Sequence, residues 1–137
     1  MKFAAPVYLD IETIITIHKM QIDEHGGLDG IRNMGGLESA VAQPQATFGS
    51  EDLHLTIFDK AAAYAFYIAE SQSFIDGNKR VALASALIFL ALNGYEFTED
   101  QPKFYDAMIA ISSGELDKEG LSNLFREAWI ETTLPKK

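Results

Sequence analysis

The chain contains no cysteine, so neither a disulfide framework nor a thiolate zinc site is open to it. It also lacks a long hydrophobic run. The longest, residues 81–92, is broken by Ser85; it suits a buried core helix and falls short of a membrane span. Basic residues are scarce: 11 Lys and Arg stand against 20 Asp and Glu, a formal charge of −9. That balance opposes a general nucleic-acid or anionic-membrane surface, so neither partner is expected. It suits a basic partner, or simply solubility. The opening Met1-Lys2-Phe3-Ala4-Ala5-Pro6 is too short and too soon interrupted for a signal peptide, and a cytoplasmic, soluble protein is the plain expectation. Repeats, low-complexity tracts and linkers are missing as well. The 137 residues therefore read as one domain, 1–137, and 47% apolar content is ample for a single core.

No alternating run is long enough for a core strand, whereas helical periodicity is plentiful. Asp10 reads as an N-cap, followed by a stripe of Ile11, Ile15, His18 and Ile22 that runs to about His25 and stops at Gly26-Gly27. Residues 27–36 are glycine-rich and suit a small hairpin or loop; residues 37–43 suit a short helix ended by Pro44. Residues 47–55 form a polar connection. Thr56 caps a helix with Ile57, Ala61, Tyr64 and Ile68 on one face, and residues 71–78 break it. Residues 79–93 resume as a helix apolar on nearly every side, which predicts the central buried element. Pro102 suits the first turn of a helix with Phe104, Ala107, Met108 and Ile111 inward; Asp117 opens a last one with Leu121, Leu124, Phe125, Ala128 and Trp129 inward. The predicted class is all-α, with a flap of at most two short strands.

The most informative stretch is Gln72-Ser73-Phe74-Ile75-Asp76-Gly77-Asn78-Lys79-Arg80. It has the layout of an anion-binding loop that feeds a helix N-terminus, where amides and the positive end of the dipole favour phosphate. Phe74 reads as an anchor into the core. Gly77 lets backbone approach a ligand, and Asn78 tolerates unusual angles and can hydrogen-bond a phosphate. Lys79 and Arg80 open the central helix, where cations are unfavourable unless an anion is present. Asp76 can orient Arg80, or hold a magnesium ion through one carboxylate with phosphates as co-ligands. The plain alternative is a routine turn with solvated cations.

The stretch resembles the signature loop of the Fic/Doc family, His-x-Phe-x-Asp/Glu-Gly-Asn-Gly/Lys-Arg. Segments 22–27, 30–33, 37–40 and 44–48, together with Asn93-Gly94-Tyr95, are similar to the death-on-curing (Doc) type, so the resemblance spans roughly residues 8–97. It implies a helical Fic/Doc fold whose members transfer phosphate or nucleotidyl groups to protein hydroxyls. Asp76 would hold the metal, Mg2+. Gly77, Asn78, Lys79 and Arg80 would cradle the phosphates of ATP, and the flap at Gly30, Ile31 and Arg32 would dock the target segment. Lys79 follows the Doc pattern of a kinase acting on a threonine of elongation factor Tu. Nucleotidyl (AMP) transferring members carry glycine at that place and a second arginine where Leu83 stands. Doc members are toxins silenced by a separate small antitoxin. The inhibitory motif that some family members carry in cis, Ser/Thr-x-x-x-Glu-Gly/Asn, fails here, because Glu115 stands four residues before Glu119; inhibition in trans is expected.

One departure dominates. The family's catalytic histidine, its general base, falls on Gln72, and an amide takes no proton at neutral pH. General-base assistance is worth about 10²–10⁴ in rate, so the chain as written is expected to be inactive or severely slowed. Three readings stand: an inactivating change introduced to express a toxin, a natural pseudoenzyme that binds nucleotide or antitoxin, or a different base. As substitutes, His54 reads as a surface residue of the polar connection, His18 as core-edge and His25 as a helix end; Glu70 reads as solvated.

Overall fold

The computed structural model describes residues 5–135, and most of the segment on which the leader reading rests, Met1–Ala4, lies outside them. Helix α1 (Ile11–His25) starts at Asp10, whose Oδ1 accepts from Thr13 N at 2.8 Å. It ends at Gly26, where φ is 83°. Its deepest face is Ile14, Ile17 and His18, with Ile11 and Ile15 packed at the margin, so the inward face is rotated slightly from the expected stripe. Helix α2 (Met34–Ala42) follows, then a 3₁₀ turn (Gln43–Gln45) and two short antiparallel strands, β1 (Thr47–Phe48) and β2 (Glu51–Asp52). Four helices complete the described chain: α3 (Ile57–Ser71), α4 (Asn78–Leu92), α5 (Pro102–Ser112) and α6 (Lys118–Thr133). The fold is all-α with one small hairpin.

Helix α3 carries a full capping box: Thr56 accepts from Asp59 N, and Asp59 accepts from Thr56 N. Its inward residues include five alanines, Ala61, Ala62, Ala63, Ala65 and Ala69. Small side chains let neighbouring helices approach closely, and α3 packs against α4, α6 and α2. The centre is thus shared: α3 is buried along its length, while α4 leaves Leu83, Leu87 and Ile88 half-buried along a groove beside α5. The bulk is supplied by Phe89, Phe104 and Phe125, with Tyr95 and Phe97 edge-on to Trp129. Tyr64 ties the entering chain to this centre. Its hydroxyl accepts from Leu9 N at 2.8 Å and donates to Leu9 O at 3.2 Å.

Three expectations are corrected. The hairpin lies at 47–52, in the expected polar connection, and of the hairpin or loop expected at 27–36 it is the loop that forms, as far as Asn33. Two-residue strands around a Gly49-Ser50 turn are too short to show alternation. Within 27–36, the chain is an irregular loop as far as Asn33, which caps α2 through Oδ1 to Gly36 N (2.9 Å). The helix therefore starts at Met34, ahead of the expected Leu37, and takes in two glycines that propensity disfavours. At Gly36 the reason is space: a Cβ would fall 2.6 Å from Asn33 Nδ2 and 3.3 Å from Ser73 Oγ. Finally, His54 is buried, at 6% exposure. The hairpin folds back over Lys60, itself buried, which donates to Asp52 Oδ2 at 3.0 Å and to the His54 carbonyl. Burial, then the cations of Lys118 and Lys60, push the His54 pKa below the usual imidazole range.

Candidate active site

The site forms where α3 stops and α4 begins. Gln72 ends α3 in the left-handed region, at φ 48° and ψ 39°, with its N–H on Ala69 O. Among the described residues it is the one non-glycine with positive φ. The turn reverses the chain so that 73–77 run alongside the 26–33 loop. Ser73 O accepts from Arg32 N (2.7 Å) and Asn33 N (3.1 Å), Ile75 N donates to Gly30 O (3.0 Å), and Ile31 bridges Phe74. Arg32 Nη2 donates to Gln72 O at 2.8 Å. The expected flap thus lies on the same face as Gln72 and is joined to it by backbone.

Phe74 is fully buried. Asn78 clamps it, accepting from Phe74 N through Oδ1 and donating to Phe74 O through Nδ2, each at 3.0 Å. The Asn78 amide is therefore spent on loop shape, and what it offers an anion is its backbone N–H. Gly77 is the N-cap of α4, at φ 74°. No side chain caps this end, and its first turn holds no acid. The first helical bond is Val81 N to Gly77 O (3.0 Å), so the amides before it face outward unsatisfied by the helix.

Asp76 sits in front of them. Its Oδ1 accepts from Gly77 N (3.0 Å) and its Oδ2 from Leu28 N (3.2 Å), which leaves lone pairs toward the cleft. It makes no ion pair with Arg80 among the described residues. Arg80 instead lays its guanidinium over Tyr105, 5.2 Å from the ring centroid. Asp76 consequently does not serve as the orienter of Arg80; an α5 aromatic does. Lys79 and Arg80 are both half-buried and line, with Gln72, Asp76, Tyr105 and His25, a cleft of about 560 Å³. Glycine 27 closes its rim at φ 114°, where a Cβ would come within 2.8 Å of Asp76 Oδ2.

The arrangement can hold an oxyanion at a helix N-terminus between two cations, beside one carboxylate. Groups of three or more His, Cys, Asp or Glu able to hold a metal are absent among the described residues. A cation here would thus be held by Asp76 and by ligand oxygens, which is how magnesium binds with phosphates. Sequence reasoning missed Leu28, Tyr105 and the contact of His18 with this loop; an imidazole on an apolar stripe was its one signal. Of the other histidines, His25 is exposed at the cleft wall, and His54 lies in a separate cleft with Tyr67 and Lys118.

A profile of the Fic/DOC family matches residues 8–90. Among curated proteins, the chain is 30% identical over 122 residues to the "Protein kinase doc" of Escherichia phage P1, covering 89% of this chain and 95% of that one. It is 40% identical over 93 residues to the "Toxin Doc" of Mycolicibacterium smegmatis (strain ATCC 700084 / mc(2)155), covering 68% and 69%. The chain belongs to the Fic/DOC family.

Proposed function

We propose that this Doc-type member of the Fic/DOC family is the toxin of a toxin–antitoxin pair. Its scaffold is built to transfer phosphate from ATP to a threonine hydroxyl of a translation factor, elongation factor Tu, and is idle because Gln72 stands at the base position. The observation that carries this reading is the uncapped α4 N-terminus, which faces the cleft with Asp76, Lys79 and Arg80 while Gln72 stands at the same mouth. Asp76 would hold magnesium, which would supply the neutralisation of phosphate charge that phosphoryl transfer needs.

The chain's own groups then have distinct tasks. The α4 amides and the dipole behind them hold phosphate oxygens. Asp76 offers its free lone pairs to the metal, while its amide bonds keep the carboxylate facing the cleft. Arg80, stacked on Tyr105, is held ready as a planar donor to phosphate. The exposed backbone of the 26–33 loop offers a target segment strand-like pairing beside the cleft. Gln72 can position a hydroxyl but cannot take its proton. The AMP-transferring reading is weaker. Leu83, at the place of the second arginine, lines the α4–α5 groove and not the cleft.

The test is Gln72→His, expressed with and without a small cognate antitoxin. We expect growth arrest only without it, labelling of elongation factor Tu from γ-labelled ATP, and a rate gain of about 10²–10⁴ over the parent. Copurification of that small protein with the parent supports inhibition in trans. A folded, ATP-binding His variant that neither arrests growth nor transfers phosphate would overturn the kinase reading and leave a binding module.

A further inference from the structure

Helix α1 contributes no group to the cleft's proposed chemistry, yet it sends one polar side chain under the loop. His18 is 1% exposed. Its ring stacks on Phe74, with centroids 3.9 Å apart and planes at 12°. Its Nε2 lies 2.7 Å from the carbonyl oxygen of Asp76. A carbonyl only accepts, so Nε2 carries the proton in this bond. On the other side of the ring, Nδ1 lies 3.6 Å from Asp29 Oδ1, in the 26–33 loop. One imidazole thus touches the loop's anchor, its acidic residue and the flap.

We infer that His18 is a positioning residue that sets the direction of the Asp76 carboxylate and of the Gly77 amide; this rests on the reading of Asp76 as the residue that holds the metal. The argument turns on one peptide plane. In a trans peptide the C=O and the following N–H point to opposite sides. His18 draws the Asp76 oxygen inward, so Gly77 N–H is turned outward, where Asp76 Oδ1 accepts it at 3.0 Å. The second carboxylate oxygen is met by Leu28 N, one residue before the aspartate that His18 also approaches. Asp76 is exposed, and the inward bond from His18 is the hydrogen bond by which α1 holds its peptide plane. Gly77 itself lies close to α1: a Cβ built on it would stand 3.3 Å from Ile22 Cδ1 and 3.6 Å from His18 Nε2. His18 therefore couples flap and loop through the carboxylate they share.

Two substitutions separate the donor from the ring. His18→Gln keeps a donor at about the reach of Nε2, while His18→Met has a similar shape and no donor. Each is made in the Gln72 chain, where binding is measured without turnover. Magnesium-dependent ATP affinity is measured by calorimetry, and amide hydrogen exchange is followed at Leu28 and Gly77. We expect His18→Met to weaken magnesium-dependent binding about 3- to 10-fold, the scale of one partly buried hydrogen bond, with magnesium-free ATP affected less. Exchange at Leu28 and Gly77 should quicken, and His18→Gln should restore most of both. Equal losses in the two variants, or no change in either, would overturn the inference and leave His18 as core packing. Should the parent bind no magnesium–ATP, the proposed function falls, and exchange at the two amides still decides whether His18 holds the loop.

Discussion

Replacing Gln72 by glycine should stabilise the protein, although the position lies in the candidate active site. The backbone there has φ 48° and ψ 39°. For an L-residue this region costs roughly 1–2 kcal/mol, which glycine does not incur. Glycine also loosens the unfolded chain, an opposing effect of about 0.4–1 kcal/mol. The net gain should be about 0.5–1 kcal/mol, or a rise of about 2–4 °C in Tm for a chain of this size. The ties at this residue are main-chain: its N–H to Ala69 O and its carbonyl to Arg32 Nη2. They survive substitution by glycine, alanine or histidine, so the series isolates the dihedral term. Gln72→Ala keeps the strain and should fall within about 0.5 kcal/mol of the parent. Gln72→His should do the same, since histidine is among the residues enriched in the left-handed region. Urea titrations followed by circular dichroism measure all three. A glycine variant less stable than the alanine variant would refute the reasoning, because it would mean that side-chain contacts, and not backbone strain, govern this turn.

Asn78→Ala removes both bonds to the Phe74 backbone and should cost about 1–3 kcal/mol in chemical denaturation, with magnesium–ATP binding lost alongside as the loop loosens. Gly27→Ala drives a Cβ against Asp76 Oδ2 at a backbone angle that L-residues avoid; it should lower stability by about 1–3 kcal/mol and abolish magnesium dependence of ATP binding in calorimetry, while Gly26→Ala, which meets nothing within 4 Å, should spare the carboxylate. The depressed pKa of His54 means that the folded state favours the neutral ring. Its contribution is intact above the unfolded value of about 6.5 and is lost as pH falls through that value toward the folded one. Thermal melts from pH 8 to 5 should show this decline, and His54→Gln should flatten it.

Helix identity was legible where the start is written locally. Asp10, Thr56 and Asp117 all cap through their own side chains three residues ahead, and the apolar spacing behind them needs no tertiary information. The loop at 72–80 was legible as a site for a similar reason: its residue types are adjacent in sequence. What escaped was set by partners far along the chain. The contact of His18 with Asp76 spans 58 positions and that of Arg32 with Gln72 spans 40. The burial of Lys60 and His54 follows from a hairpin whose strands carry no periodic signal. Of the two roles open to Asp76, orienting Arg80 is not taken up, because two loop amides and an α5 aromatic engage those groups.

The loop at the site is held by main-chain atoms and by the side chains of Phe74, Asn78 and Arg32, while the Gln72 side chain takes no part in that scaffolding. The fold is consequently indifferent to whether glutamine or histidine stands at the position on which the proposed phosphate transfer would depend. Histidine and glutamine codons differ only in their third base. On the proposed reading, one such base change would disarm or rearm the scaffold without disturbing the hydrogen bonds that hold the loop.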